Sequence, residues 1–194
     1  MNYLAHLFLS GDEPQVMIGG LLGDFVKGPL RGEYPTDIER GIALHRYIDA
    51  WVDDQPEMLA AVQRFHPPFR RFGGVIVDIC YDHLLAKRWS DFHAEALGNY
   101  AKAFYSQLQQ HYNLLPDRAQ RFADTAPVHR LLEGYANEGA IELALNRISR
   151  RLKRPVNLAG AMPSIHQHWP ALEREFETLF PRLCVFADSQ LRTL

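Results

Sequence analysis

Apolar residues along this chain recur at three- and four-residue spacings over most of its length, and few stretches alternate with the period of two that a half-buried strand requires. The pattern predicts an all-α protein, a compact single-domain bundle over residues 1–194 with about eight to ten helices. A first short helix ends at the Gly11 to Pro14 turn. A glycine-rich segment, Val16 to Gly28, follows, and Gly28-Pro29 to Tyr34-Pro35 reads as a loop. Thr36, with Glu39 three residues on, forms a capping-box signature for a helix running to about Asp54, before Pro56. Further helices are expected over 57–65, around Val75–Leu85, over roughly 93–112, 117–125, 127–137 and 138–153, and as two segments between 164 and 192. Pro116, Pro127, Pro155, Pro163, Pro170 and Pro181 mark starts or breaks.

Two of these helices carry polar groups where the pattern demands apolar ones. Val75 to Leu85 is apolar on nearly every side, yet Asp78 and Asp82 lie one turn apart on one face, shared with Val75, Leu85, Ala86 and Trp89. Burying both charges uncompensated would be expensive, and a cation is the natural remedy. In the Thr36 helix, His45 and Asp49 fall inside the arc of Ile38, Ile42, Leu44, Ile48, Trp51 and Val52. Taken alone, His45 and Asp49 read as a local hydrogen-bonded pair; the same anomaly on a second helix turns the weighing toward a shared site. Asp24, set among Leu21, Leu22, Phe25 and Val26, reads equally as a buried ligand or as a turn residue facing solvent.

The candidate cluster is therefore His6, Asp24, His45, Asp49, Asp78, Asp82 and His83. Carboxylates and imidazoles without thiolate suit Mn²⁺, Fe²⁺ or Mg²⁺ better than structural zinc. Such a metal polarises a phosphoryl oxygen and acidifies water, which is what phosphate-ester hydrolysis needs.

Composition narrows the picture. Apolar residues make up 47% and charged residues 23%, as in ordinary globular proteins, and 21 basic against 23 acidic residues leave a formal charge of −2. Any acidic partner must then be met by a local patch. The most basic stretch is Arg147 to Arg154, which reads either as a solvated helix end or as a docking surface; Lys87 and Arg88 could extend it. Arg70 and Arg71 precede the Val75 helix as candidate phosphate contacts or a solvated corner. Cys80 and Cys184 are far apart and in no zinc spacing, as expected of free thiols. The N-terminus lacks a basic leader, and no run approaches the roughly 20 apolar residues of a membrane span. We expect a soluble cytoplasmic protein, with no nucleic acid or membrane partner. The chain lacks the P-loop ending, the Gly-x-Ser-x-Gly elbow and the His-Glu-x-x-His motif. His93, His111 and His129 lack close metal-competent partners, and His166 and His168 point to different faces.

Four motifs together resemble the acyl carrier protein phosphodiesterase family over essentially the whole chain. They are Asn2-Tyr3-Leu4-Ala5-His6, Gly23-Asp24-Phe25-Val26-Lys27-Gly28, Gly41-Ile42 with His45-Arg46 and Ile48-Asp49, and Asp78-x-x-x-Asp82-His83. The resemblance implies hydrolysis of the phosphodiester between 4′-phosphopantetheine and a serine of holo-acyl carrier protein. It also implies a manganese-type divalent metal and a distant, HD-domain-like relation to the helical HD phosphohydrolases. Those enzymes carry an adjacent His-Asp dipeptide; here the order is Asp82-His83, and no His-Asp occurs. On this reading Asp24, His45, Asp78 and Asp82 are expected nearest the metal, with His6, Asp49 and His83 as further ligands, orienting groups or proton donor. Arg46, Arg70 and Arg71 are expected at the phosphate. Arg150 and Arg151, in the basic run, are expected to meet the acidic carrier protein. The alternatives are an HD-like phosphohydrolase acting on a nucleotide or other small phosphate ester, and a non-enzymatic helical binding protein using the acids as buried ion pairs.

Overall fold

The computed structural model describes residues 1–194 and contains helices and no strand. In chain order they are α1 (Tyr3–Leu9), α2 (Pro14–Leu22), α3 (Thr36–Asp53), α4 (Pro56–Gln63), α5 (Gly73–Lys87) and α6 (Trp89–Phe92). They continue with α7 (Leu97–Gln110), α8 (Asp117–Thr125), α9 (Leu131–Gly134), α10 (Gly139–Ser149) and α11 (Met162–Thr193). The all-α expectation holds.

The apolar run of α5 makes it the central element, packed against α1, α4, α10 and α11. A helix apolar all round has to be surrounded, and Ile76, Val77 and every residue from Ile79 to Ala86 are buried. Val75, in its first turn, is exposed, and Trp89 belongs to α6 because the backbone turns at Arg88.

The glycines of α2 set how closely it meets α3. Side chains at Gly19 and Gly41 would collide with the backbone of the facing helix, so only glycine permits this crossing. The result is that His45, on α3, lies directly against the C-terminal end of α2.

Several boundaries differ from the expected ones. The two segments predicted between 164 and 192 are one 32-residue helix that runs through Pro170 and Pro181. Each interior proline costs about 3 kcal/mol. The stripe Ile165, Leu172, Phe176, Leu179, Leu183 and Ala187 stays in phase across both, and its burial outweighs the break. The predicted 127–137 helix shrinks to α9, because Arg130 adopts φ 46, in the left-handed region. The capping box does not form: Pro35 takes the N-cap position, and Glu39 instead accepts from the Tyr34 N–H at 3.4 Å. The helix predicted to 153 ends at Ser149, leaving Arg151 to Arg154 in turn and irregular backbone.

Candidate metal centre

Three helices converge at one end of the bundle. His6 comes from the last turn of α1, His45 and Asp49 from successive turns of α3, and Asp78 from the middle of α5. The His6 and His45 rings stack with centroids 3.6 Å apart and planes 17° from parallel. Both present Nε2 to the Asp49 carboxylate, His6 at 3.1 Å from Oδ1 and His45 at 3.2 Å from Oδ2. These three side chains can offer one donor atom each within 4.8 Å of one another. The imidazoles are buried, at 1% and 4% exposure, whereas the Asp49 side chain is 43% exposed, so the group opens to solvent on its carboxylate side.

Local structure fixes these orientations. The His45 ring lies over Gly23, where any Cβ would run into it. Its Nδ1 donates to the Gly20 carbonyl oxygen at 2.7 Å. In the neutral ring that bond leaves the Nε2 lone pair facing a carboxylate, an arrangement that calls for a cation between them. His6 makes the same point more strongly. Its Nε2 contact with Asp49 is close but off the line of a hydrogen bond, and neither of its buried ring nitrogens has a hydrogen-bond partner. Burial and then the neighbouring His45 push the His6 pKa down to about 3, so the ring is neutral and free to ligate. Burial pushes the Asp49 carboxyl up, but the adjoining His45 and His6 outweigh it and hold Asp49 well below the usual carboxylate range. Two imidazole Nε2 atoms and one ionised carboxylate fit a divalent first-row metal, with the chemistry of a two-histidine, one-carboxylate site.

The surroundings add charge. The Met1 ammonium lies 3.0 Å from Asp78 Oδ1 and 3.5 Å from Asp49 Oδ1. Burial alone would lower its pKa, but Asp78 and Asp49 together raise it to about 10. Burial pushes the Asp78 carboxyl up, opposed by that ammonium. Asp24 stands at the edge of the group; burial raises its carboxyl, with the neighbouring His45 opposing the rise.

The structure thus brings together His6, His45 and Asp49, with Asp24 and Asp78 beside them. Asp82 and His83 are placed elsewhere. Asp82 reaches across from α5 to the N-terminus of α1, where its Oδ2 accepts from the Leu4 N–H at 2.8 Å and its Oδ1 from the Ala5 N–H at 3.1 Å. Asn2 occupies the N-cap position but spends its side chain on the Tyr135 hydroxyl, so α5 supplies the missing cap. Burial raises the Asp82 carboxyl to about 7 against the opposing pull of those two N–H groups. His83 donates Nδ1–H to the Tyr135 carbonyl oxygen at 2.7 Å and meets the Trp169 ring edge-on.

The arginines divide as well. Arg46, next to His45, donates to the Val26 carbonyl oxygen at 3.1 Å. Arg71 shares a shallow cleft with Lys153 and Arg154, while Arg70 is exposed on the turn before α5. Arg151 lines a groove of about 1050 Å³ between α8 and α10, and Arg150 does not. The Met1 ammonium and the α8 arginines of that groove, Arg118 and Arg121, escaped the sequence reading. The first has no pattern to betray it. The second pair is visible only as an i,i+3 spacing beside Phe122.

Fold and centre together define a class: an all-helical protein with a histidine-carboxylate donor group opening to solvent. A family model described as acyl carrier protein phosphodiesterase matches residues 1–183. An acyl carrier protein phosphodiesterase of Enterobacter sp. (strain 638) is 34% identical over 194 residues, covering 98% of this chain and 99% of its own. Proteins of the same name from Pectobacterium atrosepticum and Serratia proteamaculans are 32% and 33% identical, each over 98% of this chain and 99% and 100% of their own. No solved structure matches the chain. The chain belongs to the acyl carrier protein phosphodiesterase family, and so to the hydrolases of phosphodiester bonds. No helix is long and apolar enough to cross a membrane.

Proposed function

We propose that this protein hydrolyses the phosphodiester between 4′-phosphopantetheine and a serine of holo-acyl carrier protein, releasing the apo form, with a divalent metal held by His6, His45 and Asp49. The observation that carries the metal is the pair of orphaned nitrogens on His6 beside the Asp49 carboxylate. The names of the full-length relatives support the substrate. The nitrogen and oxygen donor set favours Mn²⁺, with Fe²⁺ and Mg²⁺ as the other candidates.

When bound, such an ion supplies Lewis acidity toward a phosphoryl oxygen. The protein's own groups do the rest. Gly20 and Gly23 hold the His45 ring in place from one side, and His6 backs it from the other. Asp49 presents its carboxylate on the solvent side, where a phosphodiester can approach. Asp24 and Asp78 orient water and manage the proton that the departing serine oxygen needs. Arg46, next to His45 in the chain and anchored on the Val26 carbonyl oxygen, is the guanidinium assigned to a phosphate oxygen.

The test is an intact-mass measurement of holo-acyl carrier protein incubated with the enzyme and Mn²⁺, with and without chelator. Loss of the phosphopantetheine mass, abolished by chelator, is expected. Unchanged carrier protein, under conditions where the enzyme hydrolyses bis(p-nitrophenyl) phosphate or a nucleotide, would establish a small-ester hydrolase instead.

A further inference from the structure

The groove between α8 and α10 is closed at one side by Asn2, Tyr3 and Phe25, of which Asn2 and Phe25 are the chain neighbours of Met1 and Asp24. Its far walls come from two helices with matched chemistry. On α10, Leu143, Arg147 and Arg151 follow one another at four-residue steps, the last just past the helix end, beside Ala144 and Ile148. On α8, Arg118 and Arg121 flank Phe122. Each helix thus sets guanidinium groups along an apolar strip.

Two features of this groove point to a partner. All four arginines are exposed and none has a carboxylate partner; Arg31, Arg70, Arg71, Arg150, Arg154 and Arg174 are also exposed and unpaired, but the groove gathers four such side chains along one concave surface with apolar lining. Leu143, between them, is 60% exposed, whereas Ile141 and Leu145 of the same helix are buried. Unpaired cations around an exposed leucine in a concave surface describe half of an interface, and the missing half must be acidic and amphipathic.

We propose that the α8–α10 groove docks an acidic amphipathic helix of the protein substrate, with its apolar side on Leu143 and Phe122 and its carboxylates on Arg118, Arg121, Arg147 and Arg151. The proposal rests on the carrier-protein reading above and locates the surface that reading requires. It moves docking away from Arg150, which lies outside the groove, and brings in α8.

Binding of apo-acyl carrier protein, the product, is measured by fluorescence anisotropy without turnover, so this test stands apart from the mass assay. Arg118→Glu with Arg147→Glu should weaken binding at least about ten-fold and flatten its dependence on salt. Leu143→Asp should weaken it several-fold, and Leu143→Met should restore it. Arg192→Glu, on the far end of α11, should bind as the wild type does, and each variant's thermal transition reports its folding. Unchanged binding in the folded double variant would overturn the proposal, as would loss only on changing Arg71 or Lys153. Self-association abolished by Leu143→Asp, or tighter binding of a single-stranded oligonucleotide than of the carrier protein, would hand the groove to another occupant. Cleavage of the carrier protein with normal binding in the double variant would sink the docking surface and leave the proposed reaction standing.

Discussion

Asp49 and Asp82 are both carboxylates on helix faces that the surrounding residues make apolar, and both meet α1. Asp82, fully buried, faces the N-terminus of α1, where the Leu4 and Ala5 N–H groups use both of its oxygens. Asp49 faces the C-terminal turn of α1 and finds an imidazole whose nitrogens have no hydrogen-bond partner. The first carboxylate completes a helix, and the second completes a donor set that the protein leaves open. A polar residue on an apolar face therefore signals that something must satisfy it, and its neighbours decide whether that something is backbone or ligand.

The strongest way to separate the two roles is His45→Ala. It removes a donor outright, so metal affinity and turnover should fall by at least about 10²-fold, more than loss of an orienting contact costs. Titration with Mn²⁺ and the carrier-protein mass assay check this, and a near wild-type affinity would take His45 out of the centre. Asp82→Ala should act on stability instead. It strands two buried N–H groups at about 1–3 kcal/mol each, partly relieved by relaxation, for a loss of roughly 2–4 kcal/mol read by denaturant melts. A variant that keeps its stability but loses its metal would place Asp82 in the donor group.

The same residue gives a pH signature. Folded Asp82 keeps its proton up to about 7, while the unfolded chain releases it near 3.8, so the native state binds more protons over that interval. Its contribution is thus greatest at the acid end and declines as pH rises from about 4 through 7. Subtracting the stability profile of Asp82→Asn from that of the wild type should isolate this decline; parallel profiles would contradict it. The mildest change is Gly23→Ala. Its methyl displaces the His45 ring without altering any donor, and metal affinity should drop by about ten-fold with the fold retained. Isothermal titration would detect it, and no change would mean that the ring is not held by Gly23.

Periodicity was enough to read the helical class, the extent of α3 and the all-round burial of α5, because burial of an apolar stripe is written into residue spacing. It also exposed the polar intrusions at His45, Asp49, Asp78 and Asp82, since each interrupts such a stripe. Spacing failed where long-range packing outweighed a local rule. The in-phase stripe from Ile165 to Ala187 carries α11 through Pro170 and Pro181.

Which intruding groups meet was decided by the tertiary structure alone. Gly19 and Gly41 let two backbones touch, and that contact sets His45 against Gly20 and Gly23, within reach of His6. Asp82 was drawn instead to the open end of α1, because unsatisfied N–H groups there needed an acceptor that Asn2 did not provide. Residue type and spacing fix what a side chain can bind, but its partner is set by packing between elements far apart in the chain.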